Sequence, residues 1–83
     1  MLLNIYSLQN PVIRKDAKSV SVQTPNGEIT ILGNHEPLIT PLIAGDVRIV
    51  EASGTEEKIE SKGGFIEVRP NPEQGGEVNI LID

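Results

Sequence analysis

Few side chains in this sequence could do chemistry, and His35 comes first. It is the only histidine, the one side chain type whose ordinary pKa sits near neutrality. Glu36 follows it directly and Glu28 lies a short way upstream, so a His–Glu pair could move a proton. Acid–base hydrolysis also needs a nucleophile with an orienting partner, and a metal needs more than one imidazole. Neither is present in the sequence around His35. Glu56, Glu57 and Glu60 could gather a cation, but neighbours on a strand point to opposite faces, so Glu56 and Glu57 should diverge. A charged, solvated edge strand is the simpler reading. Gly63-Gly64 could cradle a phosphate only if a Lys-Ser/Thr pair and a helix followed. Phe65 opens a strand there instead. Ser7 and Thr40 read as surface hydroxyls. The sequence therefore names no catalytic residue, metal ligand, nucleotide contact or cofactor.

The elements that must position these residues are short. Thr24 to Thr40 organises the chain, with a turn at Pro25-Asn26-Gly27 and an irregular segment, Gly33-Asn34-His35-Glu36-Pro37, soon after it. Proline presets φ at the first corner, and Asn and Gly tolerate the left-handed backbone a reversal needs. A strand over residues 28–32 is fixed between them. Before it, Ser19 to Thr24 alternates strictly, sending Val20 and Val22 to the core. Residues 2–8 read as a strand limited by Pro11, and residues 14–18 as a polar segment. Pro41 argues against a helix over the apolar residues 37–44. Strands are expected at 46–51, 56–61, 65–69 and 77–82. Gly63-Gly64 should allow unusual backbone angles or a close approach by another segment. Pro70 to Gly76 reads as a long flexible loop. Every apolar run is short, β-branched and bounded by Gly, Pro or Asn, which predicts an all-β sandwich or barrel.

With 83 residues there is room for one domain. Tyr6 and Phe65 are the only aromatic residues, so Leu, Ile and Val must build the core, and two aromatics are a poor platform for a glycan. The absence of cysteine excludes disulfides, thiolate zinc sites and thiol catalysis. A net charge of −5 opposes binding to nucleic acid or an anionic lipid surface. No apolar run is long enough to span a bilayer, and Met1-Leu2-Leu3-Asn4 lacks the charged and apolar regions of a signal peptide. The expectation is a soluble, cytoplasmic, acidic interaction module.

A family resemblance takes the reading further. The run from Gly27 through Gly33-Asn34-His35-Glu36-Pro37-Leu38-Ile39-Thr40 resembles the signature of the epsilon subunit of rotary (F-type) ATP synthase. Gly45-Asp46-Val47-Arg48-Ile49, Gly63-Gly64-Phe65-Ile66-Glu67-Val68-Arg69-Pro70 and Val78-Asn79-Ile80-Leu81-Ile82-Asp83 resemble later blocks of the same family, and Leu3-Asn4-Ile5-Tyr6-Ser7 its start. The blocks fall in the family's order and cover nearly the whole chain. Thr30, Gly33, Asn34 and Lys62 depart from its usual residues, and the Pro70–Gly76 loop is longer than usual. The family normally continues into a C-terminal helical hairpin, and over residues 1–83 the expectation is the sandwich without it.

The resemblance implies a small ten-stranded β-sandwich, or flattened barrel, of two antiparallel sheets that forms a single domain over residues 1–83. It implies a non-catalytic central-stalk subunit that docks on the gamma subunit, touches the polar loops of the membrane rotor ring, and needs no cofactor. By position, Asn26, Gly27 and Glu28 match the loop that faces the ring. Ser7, His35, Pro37, Leu38 and Thr40 match positions at or near the gamma contact. Such a subunit lies peripherally on the cytoplasmic face of the plasma membrane, with no direct insertion into the bilayer. In the family, nucleotide binding and inhibition of hydrolysis involve the hairpin, so neither is expected of these residues. Two other readings make different predictions. A free-standing sandwich binding a peptide or glycan needs an aromatic platform or polar groove. A small hydrolase using His35 and Glu36 needs His35→Ala to abolish turnover while leaving the fold intact.

Overall fold

A computed structural model describes residues 1–83 and contains eight strands: β1 (Leu2–Ser7), β2 (Ile13–Thr24), β3 (Gly27–Leu32), β4 (Leu38–Leu42), β5 (Gly45–Glu51), β6 (Glu56–Ser61), β7 (Gly64–Arg69) and β8 (Glu77–Ile82). They pair in the order β4-β7-β8-β1-β2-β5-β6, with β3 on the other edge of β2. The long β2 joins two leaves. Its first residues pair with β1, its register shifts between Ala17 and Ser19, and its second half lies between β5 and β3. A bulge at that point bends and twists the strand, which lets one strand serve both leaves.

The leaves close on an aliphatic core. Leu3, Ile5, Val20, Val22, Ile31, Val47, Ile49, Ile66, Val68, Val78 and Ile80 are all buried, and most are β-branched. Such side chains lose little freedom on a pleated surface and pack well against their cross-strand neighbours. The alternation that assigned Val20 and Val22 to the core holds along β2.

The all-β sandwich expectation stands, with corrections of detail. The strand count is eight rather than ten, and β1 runs parallel to β8, so the sheets are not wholly antiparallel. The first and last strands enter the leaf side by side in the same direction, which no hairpin pattern could reveal. The polar residues 14–18, given no element by their pattern, form the start of β2. There Arg14, Asp16 and Lys18 face solvent while Ala17 is buried. Residues 38–42 form β4, and Pro41 is tolerated because β4 pairs only with β7 and is an edge strand. The Pro70–Gly76 segment is not a free loop. The Asn71 carbonyl accepts from the Gln74 and Gly76 amides at 3.0 and 2.9 Å, which folds the segment back on itself.

The Gly63-Gly64 pair does what its sequence suggested. Gly64 has a φ of +148°, and a Cβ placed there would lie 1.8 Å from the Leu81 carbonyl oxygen. Only glycine lets β7 start this close to β8.

Candidate docking surface

Asn26, Gly27 and Glu28 stand together at the exposed tip of the β2–β3 hairpin. Thr24 Oγ1 organises the tip, donating to the Gly27 carbonyl at 2.7 Å and accepting from the Asn26 amide at 3.2 Å. Glu28 then reaches across β2 to pair with the guanidinium of Arg48 on β5. That carboxylate is committed to Arg48 rather than to His35. His35 is exposed, and its Nδ1 lies 2.7 Å from the backbone carbonyl oxygen of Glu36, not from a carboxylate. The arrangement fixes the ring in a loop and builds no acid–base pair.

The residues matched to a gamma contact occupy several surfaces. His35 and Pro37 are exposed in the loop before β4. Leu38 and Thr40 are half-buried on the inner side of β4, opposite Val68 and Ile66. Ser7 ends β1, which β7 and β8 separate from β4, so it lies about 14 Å across the leaf at ordinary strand spacing.

A different set of residues forms a continuous apolar row. On the outside of the first leaf, Pro41 of β4 stands opposite Phe65 of β7, Phe65 opposite Leu81 of β8, and Leu81 beside Tyr6 of β1. Phe65 and Leu81 are 56% and 53% exposed, and Leu8 beyond β1 is almost wholly so. Tyr6, Leu8, Phe65 and Leu81 line one shallow depression. Reading each strand for a single buried face missed this row. The available signal was apolar side chains in both phases of the alternation, as in Ile80-Leu81-Ile82 and Phe65-Ile66, which marks a strand meant to be covered on both sides.

A polar row borders it. Arg14 Nε donates to Asn4 Oδ1 at 2.8 Å, Asn4 Nδ2 donates to Asn79 Oδ1 at 3.0 Å, and Asn79 Nδ2 donates to Glu77 Oε2 at 2.9 Å. The Asn79 bond, with a second from Asn71, holds the Glu77 carboxyl below the usual carboxylate range. The buried Asn4 is thereby satisfied on both its oxygen and its nitrogen. An apolar patch with a hydrogen-bonded rim has the anatomy of a protein interface.

The second leaf presents a charged exterior instead. Glu28 and Arg48 pair there, and Lys58 lies 3.7 Å from Asp46. Of the β6 acids, Glu56 and Glu60 are exposed, whereas Glu57 turns to the rim of the core and meets Lys15 at 2.5 Å. The hydrogen bond raises the Lys15 pKa and lowers that of Glu57. The divergence expected of Glu56 and Glu57 is what separates them.

Residues 1–83 match the family model described as the ATP synthase delta/epsilon chain, beta-sandwich domain. The chain belongs to that family. Among relatives of the delta/epsilon sandwich, the ATP synthase epsilon chain of Halalkalibacterium halodurans is 41% identical over 81 residues, which cover 98% of this chain and 56% of that one. The Bacillus pumilus epsilon chain is 43% identical over 68 residues, covering 82% of this chain and 51% of its own length. The chain thus spans about half the length of these relatives. Its fold resembles that of a chain in the cryo-EM structure of Euglena gracilis mitochondrial ATP synthase, an assembly that includes the c-ring. The TM-score is 0.83 at 24% identity, covering 99% of this chain and 49% of that one. A chain in the central stalk and c-ring structure from Tetrahymena thermophila matches with a TM-score of 0.72 at 15% identity, covering 98% of this chain and 63% of that one.

Proposed function

We propose that this chain is the β-sandwich of an epsilon-type central-stalk subunit, a non-catalytic part that couples the gamma subunit to the membrane rotor ring during ion-gradient-driven ATP synthesis. The family match over all of residues 1–83 carries this reading. The apolar row Pro41–Phe65–Leu81–Tyr6 supplies the physics. A joint that passes torque must be stiff and broad, so it needs close-packed apolar contact rather than a reactive group. Gamma covers the outside of the first leaf, with Ile39 and the His35–Pro37 loop at its margin and the Arg14–Asn4–Asn79 row as its polar rim. The Asn26-Gly27-Glu28 tip meets the polar loops of the ring. Glu28 is exposed and already paired with Arg48, so an ion pair there contributes only ~0.2–1 kcal/mol and sets register more than affinity. The subunit sits peripherally, on the cytoplasmic face of the membrane that carries the ring.

The test is functional replacement. Membrane vesicles bearing the cognate synthase, stripped of their epsilon subunit, should regain gradient-driven ATP synthesis when this chain is added. Vesicles that bind the chain yet stay uncoupled would contradict the assignment.

A further inference from the structure

The Pro70–Gly76 segment lies directly beside the His35 loop. The Gly75 carbonyl accepts from the Asn34 amide at 2.7 Å, and the Gly76 carbonyl accepts from the Leu2 amide at 3.0 Å. Asn34 has a φ of +59°, the only non-glycine residue in the left-handed region. That conformation is uncommon and persists where the surroundings hold it. Here the Gly75 carbonyl is the partner of its amide. Gly75 and Gly76 themselves have φ of +74° and +111°, a backbone that a side chain at either position would strain. The other end of the segment is tied down as well. Asn71 Nδ2 donates to Glu77 Oε1 at 3.2 Å, and Glu77 joins the row through Asn79 and Asn4 to Arg14.

A path of hydrogen bonds therefore runs from the polar rim of the first leaf, through the Pro70–Gly76 turn, to the backbone that carries His35. We propose that this turn is a positioning strut, with Asn71 as its anchor, that sets the Gly33–Pro37 loop for docking of the gamma partner. The inference rests on the stalk reading above for the identity of that partner, but not for the strut itself. Without the strut, the Asn34 amide would lose its partner, and the loop would present His35 and Pro37 over a wider range of directions.

Asn71→Ala removes the anchor without touching the core. Hydrogen exchange of the Asn34 amide in the free protein should quicken about fivefold, the worth of one hydrogen bond, while the amides of Val22 and Ile49 change by less. Affinity for purified gamma subunit should fall by a similar factor, with the urea midpoint of unfolding lowered by no more than the loss of this one hydrogen bond. If the strut acts through the loop, the double variant Asn71→Ala with His35→Ala should lose less than the sum of the two single losses, whereas a merely structural role would make the losses add. Gly76→Ala gives an independent disruption and should move the Asn34 amide in the same direction. Unchanged exchange at Asn34 in Asn71→Ala would overturn the strut, whatever gamma does. Faster exchange with undiminished gamma binding would overturn its role in docking. Failure of the unaltered protein to bind gamma would overturn the stalk reading and the docking role together, leaving the exchange result to decide the strut.

Discussion

Phe65 on β7 and Leu81 on β8 stand directly opposite one another on the outside of the sandwich, both more than half exposed. One position along each strand, Ile66 and Ile80 form the matching pair inside, both wholly buried. The same two strands are thus apolar on both faces, and one of those faces has no cover within the chain.

The two faces should respond differently to substitution. Ile66→Ala should destabilise the fold by ~2–4 kcal/mol, from lost burial and the cavity left behind. Phe65→Ser should change it by less than ~0.5 kcal/mol, as exposed positions do. Urea unfolding of both variants checks this, and equal losses would place Phe65 in the core.

Gly64→Ala should be worse than any exposed substitution. The new Cβ would collide with the backbone carbonyl of Leu81, which cannot rotate away, and the local φ is one that alanine rarely adopts. The β7–β8 pairing must separate to relieve it, so a loss of ~3 kcal/mol or more is expected in a domain of modest stability. Thermal unfolding followed by circular dichroism measures it.

Acid should weaken the rim of the first leaf. The Glu77 carboxyl is held low by its bonds from Asn79 and then Asn71, so its contribution is fully present above the ordinary carboxylate pKa of about 4.3. It is lost as pH falls through the lower folded-state value. Glu57, held low by Lys15, acts in the same sense and leaves a residual slope. Glu77→Gln should therefore flatten the loss of stability between about pH 5 and pH 3 compared with the unaltered protein. Parallel slopes in urea titrations at these pH values would show that the Glu77 bonds carry no linkage.

The Glu28–Arg48 pair should matter little to folding. Both side chains are largely exposed, so Glu28→Gln should cost less than ~1 kcal/mol. If the hairpin tip meets the ring, the variant should still lower coupled ATP synthesis in reconstituted vesicles, and do so more at low salt than at high salt.

Much of this molecule was legible in its residues. Val20-Ser21-Val22, Ile29-Thr30-Ile31 and Val47-Arg48-Ile49 alternate cleanly, because each strand has one face in the core and one in water. The start of β2 was hidden because Arg14, Lys15, Asp16 and Lys18 carry no apolar contrast, although the backbone pairing with β1 is regular. β4 was obscured by Pro41, which only an edge position can accept. The parallel pairing of β1 with β8 brings together residues from opposite ends of the chain, and local pattern cannot encode it. Family resemblance pointed to Ser7, His35, Pro37, Leu38 and Thr40 as contacts, but it could not say that Leu38 and Thr40 turn inward from β4. Nor could it supply the apolar row, whose four members lie on four different strands and become neighbours only through register.

The measurement that bears most directly on the central claim is a calorimetric titration of purified cognate gamma subunit into this chain and into its Phe65→Ser/Leu81→Ser variant. A complex with dissociation constant below about 1 μM, weakened at least about tenfold in the folded variant, is the predicted result. No heat of binding at micromolar concentrations, or equal affinity in both proteins, would contradict it.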